Sequence, residues 1–117
     1  MTILNFTVPP LPEYINSGLT RAPIHGGHPN RKNIGIFDLL VVMKGRLDVT
    51  ENGNPYEIKP GMYLILRPDT HHFGTNGCTE ETDYYWLHFQ TSGDWHADET
   101  VQAPRKEEVP ELKAMAP

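Results

Sequence analysis

One cysteine, Cys78, is the whole thiol inventory of this sequence. An intramolecular disulfide is excluded, and so is any metal site assembled from several thiolates. A solitary cysteine fits a reducing compartment. Long apolar runs are also missing: nothing approaches the roughly 18 consecutive apolar residues of a membrane span. The N-terminal "MTILNFTVPPLPEY" lacks the basic start of a signal peptide, and Pro9, Pro10 and Pro12 interrupt it. The expectation is a cytoplasmic protein with no membrane partner. Basic clusters are scarce as well. Ten Lys and Arg face fifteen Asp and Glu, a net charge of −5, and the densest basic stretch, "RKEE", neutralises itself. Duplex DNA is gripped by clustered cations that displace counterions from phosphates, so this chain is not expected to hold nucleic acid itself. No glycine-rich phosphate loop occurs. No Ser-His-Asp or Cys-His arrangement has supporting context, and Cys78 in the polar "TNGCTEET" reads as inert.

What is present is strand-like. The length of 117 residues suits one domain with a modest core. Eleven prolines and ten glycines, spread along the chain, punctuate it into short elements. "IGIFDLLVVMKG" (34–45) is apolar and β-branched, and "RLDVTE" alternates, with Leu47 and Val49 on one face. Asn52-Gly53 is a strong hairpin signal, because both residues tolerate the positive φ of a type I′ turn. "PYEIKP" returns, Pro60-Gly61 turns again, and "MYLILR" and "DYYWLHFQ" (83–90) supply two more strands. Short strands at turn spacings of roughly 8–12 residues predict an all-β sandwich or barrel. No amphipathic helix is visible between them. Residues 1–13 read as an N-terminal arm, 14–96 as the barrel. Residues 97–117 read as a linker or edge segment, in which "PELKAMA" makes a helical turn or an edge strand.

The paired histidines of "PGMYLILRPDTHHFG" (60–74) raise the question of a metal. The stretch resembles the second cupin motif, with Pro60-Gly61 opening the strand and His72 at the histidine position. The first cupin motif places two histidines one residue apart ahead of an acid and a glycine. Counting back from Gly45, Asp38 stands for the acid, but the histidine positions fall around Arg31 to Ile34. His25 and His28 lie outside that spacing. Neighbouring strand residues point to opposite faces, so only one of His71 and His72 looks inward. One histidine and one aspartate fall short of the three protein ligands a catalytic metal takes. No metal, no cofactor and no catalytic residue are expected.

The aromatic strand says more. Alternation puts Tyr84, Trp86 and His88 on one face and Tyr85, Leu87 and Phe89 on the other. Rings that carry O–H and N–H donors suit polyhydroxylated ligands, since an indole stacks on sugar C–H groups. The residues alone leave this even with a Trp86 that fills the core. The second face is apolar and needs a cover.

Taken together, "GLT" (18–20), "HPNR" (28–31), "FDLLVVMKGRL" (37–47), "PGMYLILRPDTHHFG" and "YYWLHF" (84–89) resemble, in order, the N-terminal sensor domain of AraC/XylS-type transcriptional regulators. The resemblance implies a cupin-like jelly-roll barrel, a double-stranded β-sandwich that binds a small effector, frequently a sugar, inside. It also implies a homodimer in the full-length protein. DNA would be bound only through a C-terminal pair of helix-turn-helix units beyond this chain, after dimerising helices. Carried over from the arabinose-responsive member, the sugar contacts fall on Thr20, Arg31, Phe73, Tyr84 and Trp86. Phe73 stands where that member has a tyrosine, and Tyr84 where it has a histidine. His72 and His88 complete the expected ligand-binding set. Two other readings stay open: a small metal-dependent cupin enzyme of sugar-isomerase type, and a ligandless dimerisation module with a filled barrel.

Overall fold

A computed structural model describes residues 2–32 and 34–98. Ten strands follow in order: β1 (Ile3–Phe6), β2 (Glu13–Ala22), β3 (Arg31–Lys32), β4 (Phe37–Lys44), β5 (Leu47–Glu51), β6 (Asn54–Ile58), β7 (Tyr63–Leu66), β8 (His71–Gly74), β9 (Thr82–Gln90) and β10 (Trp95–Asp98). No helix occurs among the described residues. The "PELKAMA" segment and the rest of 99–117 lie outside them.

The chain divides into two units. In the smaller, which takes residues 1–13 and 91–117, β1 pairs antiparallel with β10, from Ile3 opposite Asp98 to Phe6 opposite Trp95. The proline-rich arm of the sequence reading thus carries a short strand, and its partner Trp95–Asp98 runs from the end of the expected barrel into the expected linker or edge segment. The larger unit, Tyr14–Gln90, holds two four-stranded sheets with orders β2-β9-β4-β7 and β3-β8-β5-β6.

Strand length and alternation explain the pairing of the larger unit. Asp38, Leu40 and Val42 on β4 stand directly opposite His88, Trp86 and Tyr84 on β9, and opposite residues of an antiparallel pair share a face. That face meets Leu47, Val49 and Ile58 of the other sheet, with Ala22, Leu66, Cys78 and Tyr84, in one buried apolar cluster. The second face of β4 and β9 carries Phe37 stacked on Phe89, ring centroids 4.9 Å apart. Tyr85 on that face is 50% exposed. The hairpin between β5 and β6 closes at Asn52-Gly53, with φ of 46° and 82°. Both are left-handed, as a type I′ turn requires.

The architecture is therefore all-β, as expected, with two sheets facing each other and no sheet closed into a barrel among the described residues. Among the described residues, no strand of one four-stranded sheet is hydrogen-bonded to a strand of the other. The sheets are held by a shared apolar core, not by a continuous ladder.

Candidate functional site

A cavity of about 260 Å³ opens in the larger unit, lined by Thr20, His28, Pro29, Arg31, Asp38, Tyr84, Trp86 and His88. Strand register delivers most of these side chains. Tyr84, Trp86 and His88 alternate inward from β9. Thr20 comes from the far end of β2, and its side chain hydrogen-bonds the Tyr84 phenol. Tyr84 is 3% exposed. Burial pushes its phenol up, with the bond from Thr20 pulling the other way. The phenol stays protonated at neutral pH and can donate. Trp86 is half-buried, its ring 4.9 Å from that of His88 and tilted by 43°. Arg31 on β3 stands opposite His72 on β8, so both share the inward face of the second sheet. A slightly larger recess of about 300 Å³ is lined by Arg21, Ala22, Pro23, Lys44, Glu81 and Asp83. It lacks any aromatic platform, and its Lys44 and Glu81 are solvated charges, so it makes a poorer ligand site.

Four expected residues line the cavity with His88: Thr20, Arg31, Tyr84 and Trp86. Two expected residues do not. His72 is fully buried behind His28, ring centroids 5.0 Å apart. Burial first, and the neighbouring His28 ring second, hold its imidazole down to about 4. Phe73 follows His72 on the same strand and so faces the other way, its ring 5.3 Å from that of His71. It does not line this cavity.

The expected ligand set left out His28 and Asp38, although Asp38 stands at the acid position of the first cupin motif. The ligating atoms of His28, Asp38 and His72 all lie within 4.8 Å of one another, and all three side chains are buried. His28 Nε2 stands 3.2 Å from Asp38 Oδ2. His88 Nε2 lies 3.5 Å from Asp38 Oδ1, an ion-pair separation without hydrogen-bond geometry. The spacing argument left His28 out because it sits ten residues before Asp38 in a loop. Backbone hydrogen bonds place that loop: His25 N to Cys78 O, Cys78 N to Gly26 O, and Gly74 N to His28 O. Only the Gly/Pro-rich composition of 23–30, which lets the backbone bend toward a distant segment, hinted at this.

Comparison with known proteins follows from this geometry. The model for the AraC-like ligand binding domain matches residues 23–116. The chain belongs to that family. It is 41% identical over 85 residues to an uncharacterized HTH-type transcriptional regulator, YisR, of Bacillus subtilis (strain 168). The match covers 72% of this chain and 29% of YisR. Two solved structures share the fold. The cupin domain of Schizosaccharomyces pombe Cnp3 superposes with a TM-score of 0.59 at 16% identity, over 78% of this chain and 64% of that one. A cupin protein from Bacteroides fragilis gives 0.53 at 12% identity, over 76% and 70%. The domain thus has a cupin-like fold, belongs to a ligand-binding family and is similar to a regulator. No helix among the described residues is long and apolar enough to cross a membrane.

Proposed function

We propose that this AraC-like domain senses a small polyhydroxylated effector, carbohydrate-like in chemistry, held in the cavity beside Trp86. The observation that carries the reading is a half-buried indole on the wall of a cavity whose other lining side chains, Pro29 apart, carry polar groups. The indole offers an apolar face to sugar C–H bonds. Thr20, Tyr84, Arg31 and His88 supply hydrogen bonds around it, and a site built to pair hydroxyls rejects analogues lacking them. A cavity of this volume also favours a sensor over a ligandless module with a solid interior.

In the full-length protein, on this reading, the domain works in the cytoplasm as part of a homodimer. Effector binding shifts the balance between two arrangements of the dimer, and DNA is engaged by a helix-turn-helix part outside this chain. The relationship to the HTH-type regulator supports that assignment. A ligand moves such a balance only through its differential affinity for the two states.

Calorimetric titration of the chain with neutral aldoses, sugar acids and apolar aromatic acids tests the proposal. Saturable one-to-one binding of a sugar class is expected. Preference for the apolar acids would sink the carbohydrate reading.

A further inference from the structure

The buried end of the cavity has a composition that sugar binding does not explain. His28, Asp38 and His72 converge there from a loop, from β4 and from β8. We propose that they bind one divalent first-row transition-metal ion, with an open coordination position turned to the cavity. Resting on the effector reading above, we infer further that an effector with adjacent oxygen donors completes the coordination.

The donor chemistry fits. Imidazole and carboxylate together suit zinc, cobalt, nickel or iron, and three protein ligands with a free position is the pattern of a site that takes an outside ligand. The hydrogen bonding points the same way. His28 Nδ1 lies 3.0 Å from the carbonyl oxygen of Pro29. A carbonyl can only accept, so Nδ1 carries the hydrogen. Nε2 then meets the Asp38 carboxylate either as a second N–H or as a lone pair facing a lone pair. A cation between the two atoms resolves the second case, and a backbone carbonyl holding the far nitrogen is how metal-binding histidines are oriented.

Orphaned atoms supply the independent observation. Nδ1 and Nε2 of His72 and Oδ1 of Asp38 are buried without hydrogen-bond partners. Buried polar atoms without partners are uncommon in folded proteins, and a shared ion is one of their regular explanations. An ion takes one imidazole nitrogen only, so a single cation answers one nitrogen of His72 together with Oδ1 of Asp38. Both His28 and Asp38 also line the cavity, so an ion held there is within reach of a ligand entering beside Trp86.

The test uses untagged chain stripped with chelator and titrated with Co²⁺, followed by visible d–d absorption, equilibrium dialysis and thermal unfolding. One bound equivalent is expected, with a melting temperature that rises with free metal because the native state alone binds it. The His28→Gln and Asp38→Asn proteins should bind at least about tenfold more weakly. The surface variant His96→Ala should match the parent. The absence of a one-equivalent cobalt spectrum in the parent protein overturns the metal assignment, whatever the variants do. Unchanged affinity in folded His28→Gln and Asp38→Asn overturns it equally. A sugar found by calorimetry is then titrated into zinc-loaded and metal-free protein. Binding at least about tenfold tighter with zinc supports chelation. Equal binding overturns chelation and leaves the effector reading standing. Cobalt binding without any sugar binding supports the metal site and removes chelation together with the carbohydrate reading.

Discussion

Gly18 and Trp86 are matched in shape: a Cβ placed on Gly18 would lie 2.6 Å from Cζ2 of the indole and 2.9 Å from Cε2. The backbone of β2 therefore crosses the Trp86 ring at a distance only glycine permits. The Nε1–Cε2–Cζ2 edge of the indole is thus held against β2, while the residue lines the cavity. A ring clamped in this way has little orientational freedom to lose on binding, and preorganisation of that kind raises affinity.

From this contact follows the first prediction. Gly18→Ala should move the indole, weaken effector binding by about tenfold, and cost on the order of 1–3 kcal/mol of stability through overpacking. Near-UV circular dichroism reports the ring and urea unfolding reports the stability. An unchanged aromatic spectrum with full affinity would show that the ring has room elsewhere.

The hairpin at Asn52-Gly53 gives a prediction of the opposite kind. Gly53 has a φ of 82° and nothing within 4 Å of where its Cβ would stand. Gly53→Ala should thus cost only the left-handed backbone penalty, about 1 kcal/mol. Effector affinity should be unchanged. A much larger loss in urea unfolding would mean that the turn organises more than the β5–β6 pair.

The expected strands were legible where apolar alternation was strong. "FDLLVVMK", "LDVTE" and "TDYYWLHFQ" declare themselves as β4, β5 and β9, and the last of them correctly sorts Tyr84, Trp86 and His88 from Tyr85, Leu87 and Phe89. β2 was not legible. Its "EYINSGLTRA" is exposed along most of its length, so burial imposes no pattern on it. His28 was hidden for another reason: its place depends on the loop hydrogen bonds of Gly26, His25 and His28 to Cys78 and Gly74, which are tertiary and leave no local mark. Phe73 entered the ligand set through the resemblance alone, and strand alternation turns it to the face opposite His72, beside His71.

His72 predicts how the metal-free protein responds to acid. Its imidazole titrates at about 4 in the folded protein against 6.5 ordinarily, chiefly because burial disfavours the cation. Between those values the unfolded chain binds the extra proton and the folded one does not, so stability rises with pH. The contribution is fully present above about pH 6.5 and is lost as pH falls toward 4, on the order of 3 kcal/mol in all. Urea midpoints measured with chelator at pH 7, 5.5 and 4.5 should fall steadily. His72→Gln should flatten most of that decline. A parallel decline in the variant would assign the acid sensitivity to the carboxylates.

The most direct test of the sensing cavity compares Trp86→Ala with Tyr85→Ala by calorimetry, using the tightest sugar that the parent chain binds. Tyr85 is the sequence neighbour of Trp86 on the same strand, but it faces away from the cavity. A stacked aromatic contact is worth roughly 0.5–1.5 kcal/mol beyond the area it buries, and the lost apolar contact area adds to that. Trp86→Ala should therefore weaken binding by at least about tenfold, while Tyr85→Ala should bind as the parent does. Equal binding by all three proteins, or a loss confined to Tyr85→Ala, would contradict the placement of the effector beside Trp86.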